Sequence, residues 1–142
     1  MSLGLQFSYL WHDLDVIELR IVAENIGFRG CAELYIEHGQ LLEVAEILKG
    51  FPQHSKDSRE VVLGAFGPGF AGGAVRLAFH CKDMAGHPAF WATIEAAPLG
   101  SHKAECAEIL VDFEPASLDR FLADLRTLDS ELQGCASLAA NI

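Results

Sequence analysis

The side chains best suited to chemistry in this chain are six histidines and four cysteines, and their spacing gives them little common work. Cys31, Cys81, Cys106 and Cys135 include no C-x-x-C pair, so neither a zinc ribbon nor a secreted disulfide scaffold is suggested. His80 and Cys81 are neighbours in a segment that alternates like a strand. Their side chains therefore leave opposite faces and cannot share one metal. His12, Asp13 and Asp15 make a small cluster near the start, while Asp83 and His87 flank a turn and read as a pair that stabilises it. A serine nucleophile would need a setting such as G-x-S-x-G, and none occurs. A Cys–His pair assembles in space rather than in sequence, and nothing selects Cys31, Cys106 or Cys135 over small buried side chains. The expectation is a non-enzymatic chain with no catalytic residue, metal or cofactor.

The run Gly67-Pro68-Gly69-Phe70-Ala71-Gly72-Gly73 invites comparison with a phosphate-cradling loop. It matches neither G-x-x-x-x-G-K-[ST] nor G-x-G-x-x-G, and a strand pattern follows it, so no helix N-terminus is there to receive phosphate. It reads as a connecting loop whose glycines supply positive-φ positions.

Ten Lys and Arg stand against twenty Asp and Glu, a net charge of −10. Such a balance repels nucleic-acid backbones and anionic membranes and suits a basic partner. No apolar run reaches the roughly 20 residues of a membrane helix. Residues 1–142 read as a single domain, cytoplasmic with reduced thiols, in which 1–12 and 135–142 are peripheral or frayed.

Periodicity supplies the elements that must position any site. Asp15–Ala23 and Cys31–Glu37 alternate apolar and polar residues across an Asn25-Ile26-Gly27 turn, as a hairpin does. Leu41, Val44, Ala45 and Leu48 follow helical spacing up to Gly50 and Pro52. Arg59–Ala65, Val75–Cys81, Phe90–Glu95 and Glu105–Phe113 read as four further strands, with a break at Pro98-Leu99-Gly100-Ser101. Glu114-Pro115 opens a last helix whose stripe runs Leu118, Phe121, Leu122, Leu125, Leu128, Leu132. The prediction is an α+β domain ordered β-β-α-β-β-β-β-α, mainly one antiparallel sheet of about six strands with both helices on one face.

One face of that sheet is then left open. Alternation assigns to it Glu33, Tyr35, Glu37, Arg76, His80, Trp91, Glu95 and Glu108, an acidic surface carrying two aromatics. Tyr and Trp are frequent interface anchors, so the face is expected to bind a basic protein. The alternatives are a homodimer that pairs these faces with no external ligand, or a small-ligand protein or enzyme using the region near His80 and His87.

The pattern resembles a group of small bacterial proteins related to the WapI-like immunity proteins, which protect cells from contact-dependent toxins. The resemblance spans Asp15 to Leu132. It is carried by the strand pair broken at Gly27-Phe28-Arg29-Gly30, the helix ending in Gly50-Phe51-Pro52, and the glycine loop before Val75-Arg76-Leu77. Asp83-x-x-Gly86-His87 and the final leucine-rich helix complete it. Two features depart from the group: an Asn-Trp-Leu element is absent near Trp11, and Glu114-Pro115-Ala116 replaces Asp-Gln-Thr. The resemblance implies an inhibitor that occludes a toxin domain, and it brings no catalytic residues.

Overall fold

The computed structural model describes residues 3–67, 72–96 and 104–141. In chain order these form β1 (Gly4–His12), β2 (Val16–Glu24), β3 (Arg29–Glu37), α1 (Gln40–Leu48) and β4 (Arg59–Gly64). There follow β5 (Ala74–Cys81), β6 (Pro88–Ala96), β7 (Glu105–Asp112), α2 (Pro115–Glu131) and β8 (Cys135–Ala139). The α+β class holds, while the single sheet of about six strands is corrected. Eight strands form two antiparallel four-stranded sheets, ordered β3-β2-β1-β8 and β4-β5-β6-β7. Within the glycine run, residues 68–71 lie outside the described residues, as does the expected break at 98–101.

The extra strands come from the two ends of the chain. β1 lies between β2 and β8, so residues 4–12 form an interior strand rather than a peripheral segment. Leu5 and Phe7 obey the alternation, but the pairing slips between Tyr9 and Trp11, and such a bulge erases the period-two signal at that point. β8 has five residues, of which only Ala136 and Leu138 are buried, too short an alternation to stand out.

The inward assignments made from alternation hold in both sheets. Ile17, Leu19, Ile21, Leu34 and Ile36 are buried in the first sheet, and Val75, Leu77, Phe79, Phe90 and Ile94 in the second. Both inner faces and both helices share one core. Phe79 gathers Phe51, Phe90 and Phe113 at ring-centroid distances of 5.7, 5.3 and 5.7 Å. Phe121 of α2 meets Phe7 of β1 edge to face at 5.4 Å. Such aromatic pairs add about 0.5–1.5 kcal/mol each beyond the area they bury.

β3 touches all four strands of the second sheet, so it crosses them rather than extending one. The crossing is close at Gly73, whose N–H donates to Glu33 O at 2.8 Å. A side-chain carbon there would sit 2.5 Å from Glu95 O and 3.0 Å from Ala32 Cβ, so the junction requires glycine. Elsewhere the sheets join through a bridge between Phe113 and Ala140, beside which Asn141 N–H donates to Asp112 O at 2.8 Å.

α1 is held at both ends by residues distant in sequence. Its N-cap is Gly39, which has no side chain to receive the first free N–H groups. The buried Asp129 of α2 supplies the missing acceptor, taking N–H bonds from Gly39 (3.0 Å), Leu41 (3.0 Å) and Leu42 (3.3 Å). At the other end Arg59 donates from Nη1 to Ile47 O (3.0 Å) and Lys49 O (2.6 Å). Asp57 pairs with the same guanidinium at 2.8 Å, and that bond holds its carboxyl below the usual carboxylate range.

Candidate functional site

Two sheets have two outer faces, and the residues assigned to one open surface divide between them. Glu33, Tyr35 and Glu37 lie on β3 in the first sheet; Arg76, His80, Trp91, Glu95 and Glu108 lie on β5, β6 and β7 in the second. No single sheet face carries all eight. The division follows from the chain passing through α1 between β3 and β4, which starts a new sheet.

On the first sheet the strand register sets Trp11, Glu18 and Tyr35 side by side across β1, β2 and β3. The charge of Glu18 raises the Tyr35 phenol above its ordinary pKa. The adjoining row sets Ser8, Arg20 and Glu33 together. Arg20 donates from Nε (3.0 Å) and Nη2 (2.6 Å) to one Glu33 oxygen, so this face neutralises much of its own charge.

On the second sheet one row reads Glu60, Ala78, Trp91, Leu110 and the next Val62, Arg76, Thr93, Glu108. Trp91 and Leu110 are therefore direct cross-strand neighbours, 43% and 37% exposed, with Val62 on the same face at 43%. Carboxylates share the face, most of them already bonded. Glu60 pairs with Arg76 at 3.6 Å, Asp112 with Lys82 at 2.8 Å, and Glu95 accepts the Gly67 N–H at 2.9 Å. Glu108 forms no ion pair among the described residues.

The turn between β2 and β3 borders the same region, and its tip is apolar. Ile26 is 87% exposed and Phe28 72%. Asn25 fixes the turn: its Oδ1 accepts the N–H of Gly27 (3.0 Å) and Phe28 (2.9 Å), and its own N–H donates to Phe28 O (3.0 Å). Its Nδ2 donates to Leu110 O at 2.9 Å, which fastens the turn to the edge of β7. Between turn and strand lies an open groove of about 370 Å³ that includes Leu3, Ile26, Phe28, Leu110 and Asp112 in its walls. Sequence reading assigned Asn25-Ile26-Gly27 to a turn and Phe28 to the break after it, and gave neither Ile26 nor Phe28 a binding role. The only signal was two apolar residues in a segment where polar ones are usual.

His12 and His38 meet edge to face at 6.1 Å beside Asp13, but His80 and His87 do not converge. His80 is half-buried beside a shallow groove with Ser58, Arg59 and Glu60, whereas His87 bonds Asp83 at 2.6 Å across the β5–β6 turn. That bond lowers the Asp83 pKa. Cys81 turns its Sγ toward His54 O at 3.7 Å and packs on the core, and burial pushes its thiol pKa up. A raised thiol pKa disfavours the thiolate that nucleophilic chemistry needs. Among the described residues no group of three or more His, Cys, Asp or Glu side chains gathers as metal ligands would. No described helix is long and apolar enough to cross a membrane.

No protein-family model, curated protein or solved structure matches this chain.

Proposed function

We propose that the chain is a non-enzymatic binding protein of the cytoplasm whose second-sheet outer face occludes a basic protein, in the manner of an immunity-type inhibitor of a toxin domain. The observation that carries this reading is the exposed Trp91–Leu110 pair, laterally adjacent on a sheet face that also carries Glu95, Glu108 and the ion-paired Glu60 and Asp112. Adjacent apolar side chains can be desolvated together by one partner surface, which is where binding energy concentrates. The net charge of −10 acts at longer range, speeding encounter with a cationic surface, while the aromatic anchor slows release. The resemblance to WapI-like immunity proteins points to the same class of partner. Glu33, Tyr35 and Glu37 lie on the other sheet and are not part of this face.

The test is to crosslink the tagged protein in its native cells, identify the captured partner, and measure the affinity of the purified pair by calorimetry. The expected partner is basic, and Kd rises at least about tenfold between about 50 and about 500 mM salt. Trp91→Ala with Leu110→Ser raises Kd about 100-fold. If the partner is a toxin domain, co-expression restores growth. An acidic partner, or a Kd indifferent to the double variant, would refute the reading.

A further inference from the structure

We infer that the groove between the β2–β3 turn and β7 receives an extended segment of that basic partner, with an apolar residue seated against Ile26, Phe28 and Leu110 and Lys or Arg on either side. The inference rests on the proposed function and adds the mode of recognition. Exposed apolar residues scattered singly are ordinary on a protein surface, as Leu14 and Met84 are here at other turns. Ile26 and Phe28 differ in two respects.

They share a groove with Leu110, itself the neighbour of Trp91, so the apolar surface continues from the sheet face to the turn. Contiguity of that kind marks recognition surfaces. They are also held in place before any partner arrives. Asn25 makes its four hydrogen bonds within the turn and to Leu110, so little conformational freedom is left to lose on binding. A volume of about 370 Å³ is at the small end of ligand sites and suits one or two side chains of a peptide rather than a folded lobe.

Charge selects the occupant. Asp112 lines the groove with its carboxylate paired to Lys82, and Glu108, which has no ion-pair partner among the described residues, lies beyond the groove two residues before Leu110 on the same face of β7. A second copy of this chain, also at −10, would bring like charge to that rim. An acidic rim beside an apolar floor fits a cationic segment with an apolar residue at its centre.

The probe is a displayed library of short random peptides selected on the full chain, with affinities of the recovered peptides measured by fluorescence anisotropy. Recovered peptides are expected to place Lys or Arg beside an aliphatic or aromatic residue. Phe28→Ser is expected to weaken them at least about tenfold. Asn25→Ala keeps both apolar side chains but frees the turn, and a loss of about threefold to tenfold is expected from it. Thermal melts check that both variants fold.

Basic peptides weakened by Trp91→Ala with Leu110→Ser but indifferent to Phe28→Ser would overturn the groove and leave the sheet-face reading standing. Peptides without basic residues, or no enrichment at all, would overturn the groove, while the sheet-face reading stands or falls on the captured partner. Dimerisation of the chain alone, abolished by Phe28→Ser, would show that a second copy fills the groove and would also overturn the inference.

Discussion

Each sheet of this protein exposes one tryptophan among carboxylates, yet the two outer faces are built differently. Both pair off part of their charge, Arg20 with Glu33 on the first and Arg76 with Glu60 and Lys82 with Asp112 on the second. On the first, Trp11 and Tyr35 are separated by Glu18. On the second, Trp91 and Leu110 are direct partners across β6 and β7, and the apolar surface runs on to Ile26 and Phe28. Composition is nearly the same in both places. What differs is lateral order, because a charged residue between two aromatics stays hydrated and must be desolvated before a partner can cover all three. An aromatic residue in an acidic surround is thus a weak indicator of a binding face, and two adjacent apolar residues are a stronger one.

The contrast between faces is broken most directly by matched double variants. Against the captured partner, Trp91→Ala with Leu110→Ser is expected to cost about 100-fold in affinity, about 2.7 kcal/mol. Trp11→Ala with Tyr35→Ala is expected to change Kd by less than about threefold. Equal losses from the two pairs, measured by calorimetry, would mean that lateral order does not distinguish the faces.

A variant in the shared interior sharpens the comparison by affecting neither face alone. Asp129 ties α2, which packs on the first sheet at Phe7, to α1, which contacts β4 of the second. Asp129→Ala removes the acceptor for three N–H groups and should destabilise the fold by about 2 kcal/mol in urea unfolding. Affinity of the folded protein for its partner should stay within about twofold of wild type. A large fall in affinity at temperatures where the variant is fully folded would show that the clamp reaches the binding face.

Asp129 also marks the limit of what the sequence revealed. The six strands expected from alternation all appear, with inward residues such as Ile17, Leu34, Phe79 and Phe90 buried as their period requires. Local pattern carries that information because a strand's own alternation decides its burial. It does not carry the number of sheets, which depends on whether a connection returns to the same sheet or crosses to another. Nor does it show a carboxylate capping a helix from 88 residues away, since Asp129 lies on a helix where an acid is ordinary. For the candidate site the consequence is plain. Trp91, Glu108 and Leu110 were all readable as outward, but Leu110 gained meaning only when the register placed it beside Trp91 and the groove placed the turn beside it.

The smallest effect tests the less favoured face by itself. Glu18 stands directly across from Tyr35 and raises the phenol's pKa by favouring its neutral form. The sign follows from charge: ionising Tyr35 would place a second negative group beside a carboxylate. Glu18→Gln removes that repulsion, so the phenol should titrate at lower pH, closer to the ordinary value of about 10. Phenolate absorbance reads the shift, and a Tyr9→Phe background isolates it because the chain has two tyrosines. Repeating the titration with the partner bound then separates the faces, provided the complex survives the alkaline range. If the partner covers only the second sheet, Tyr35 stays in water and its titration is unchanged by binding. A further rise on binding would mean that Tyr35 is being desolvated, and the distinction between the two faces would fail at the residue on which the first one depends.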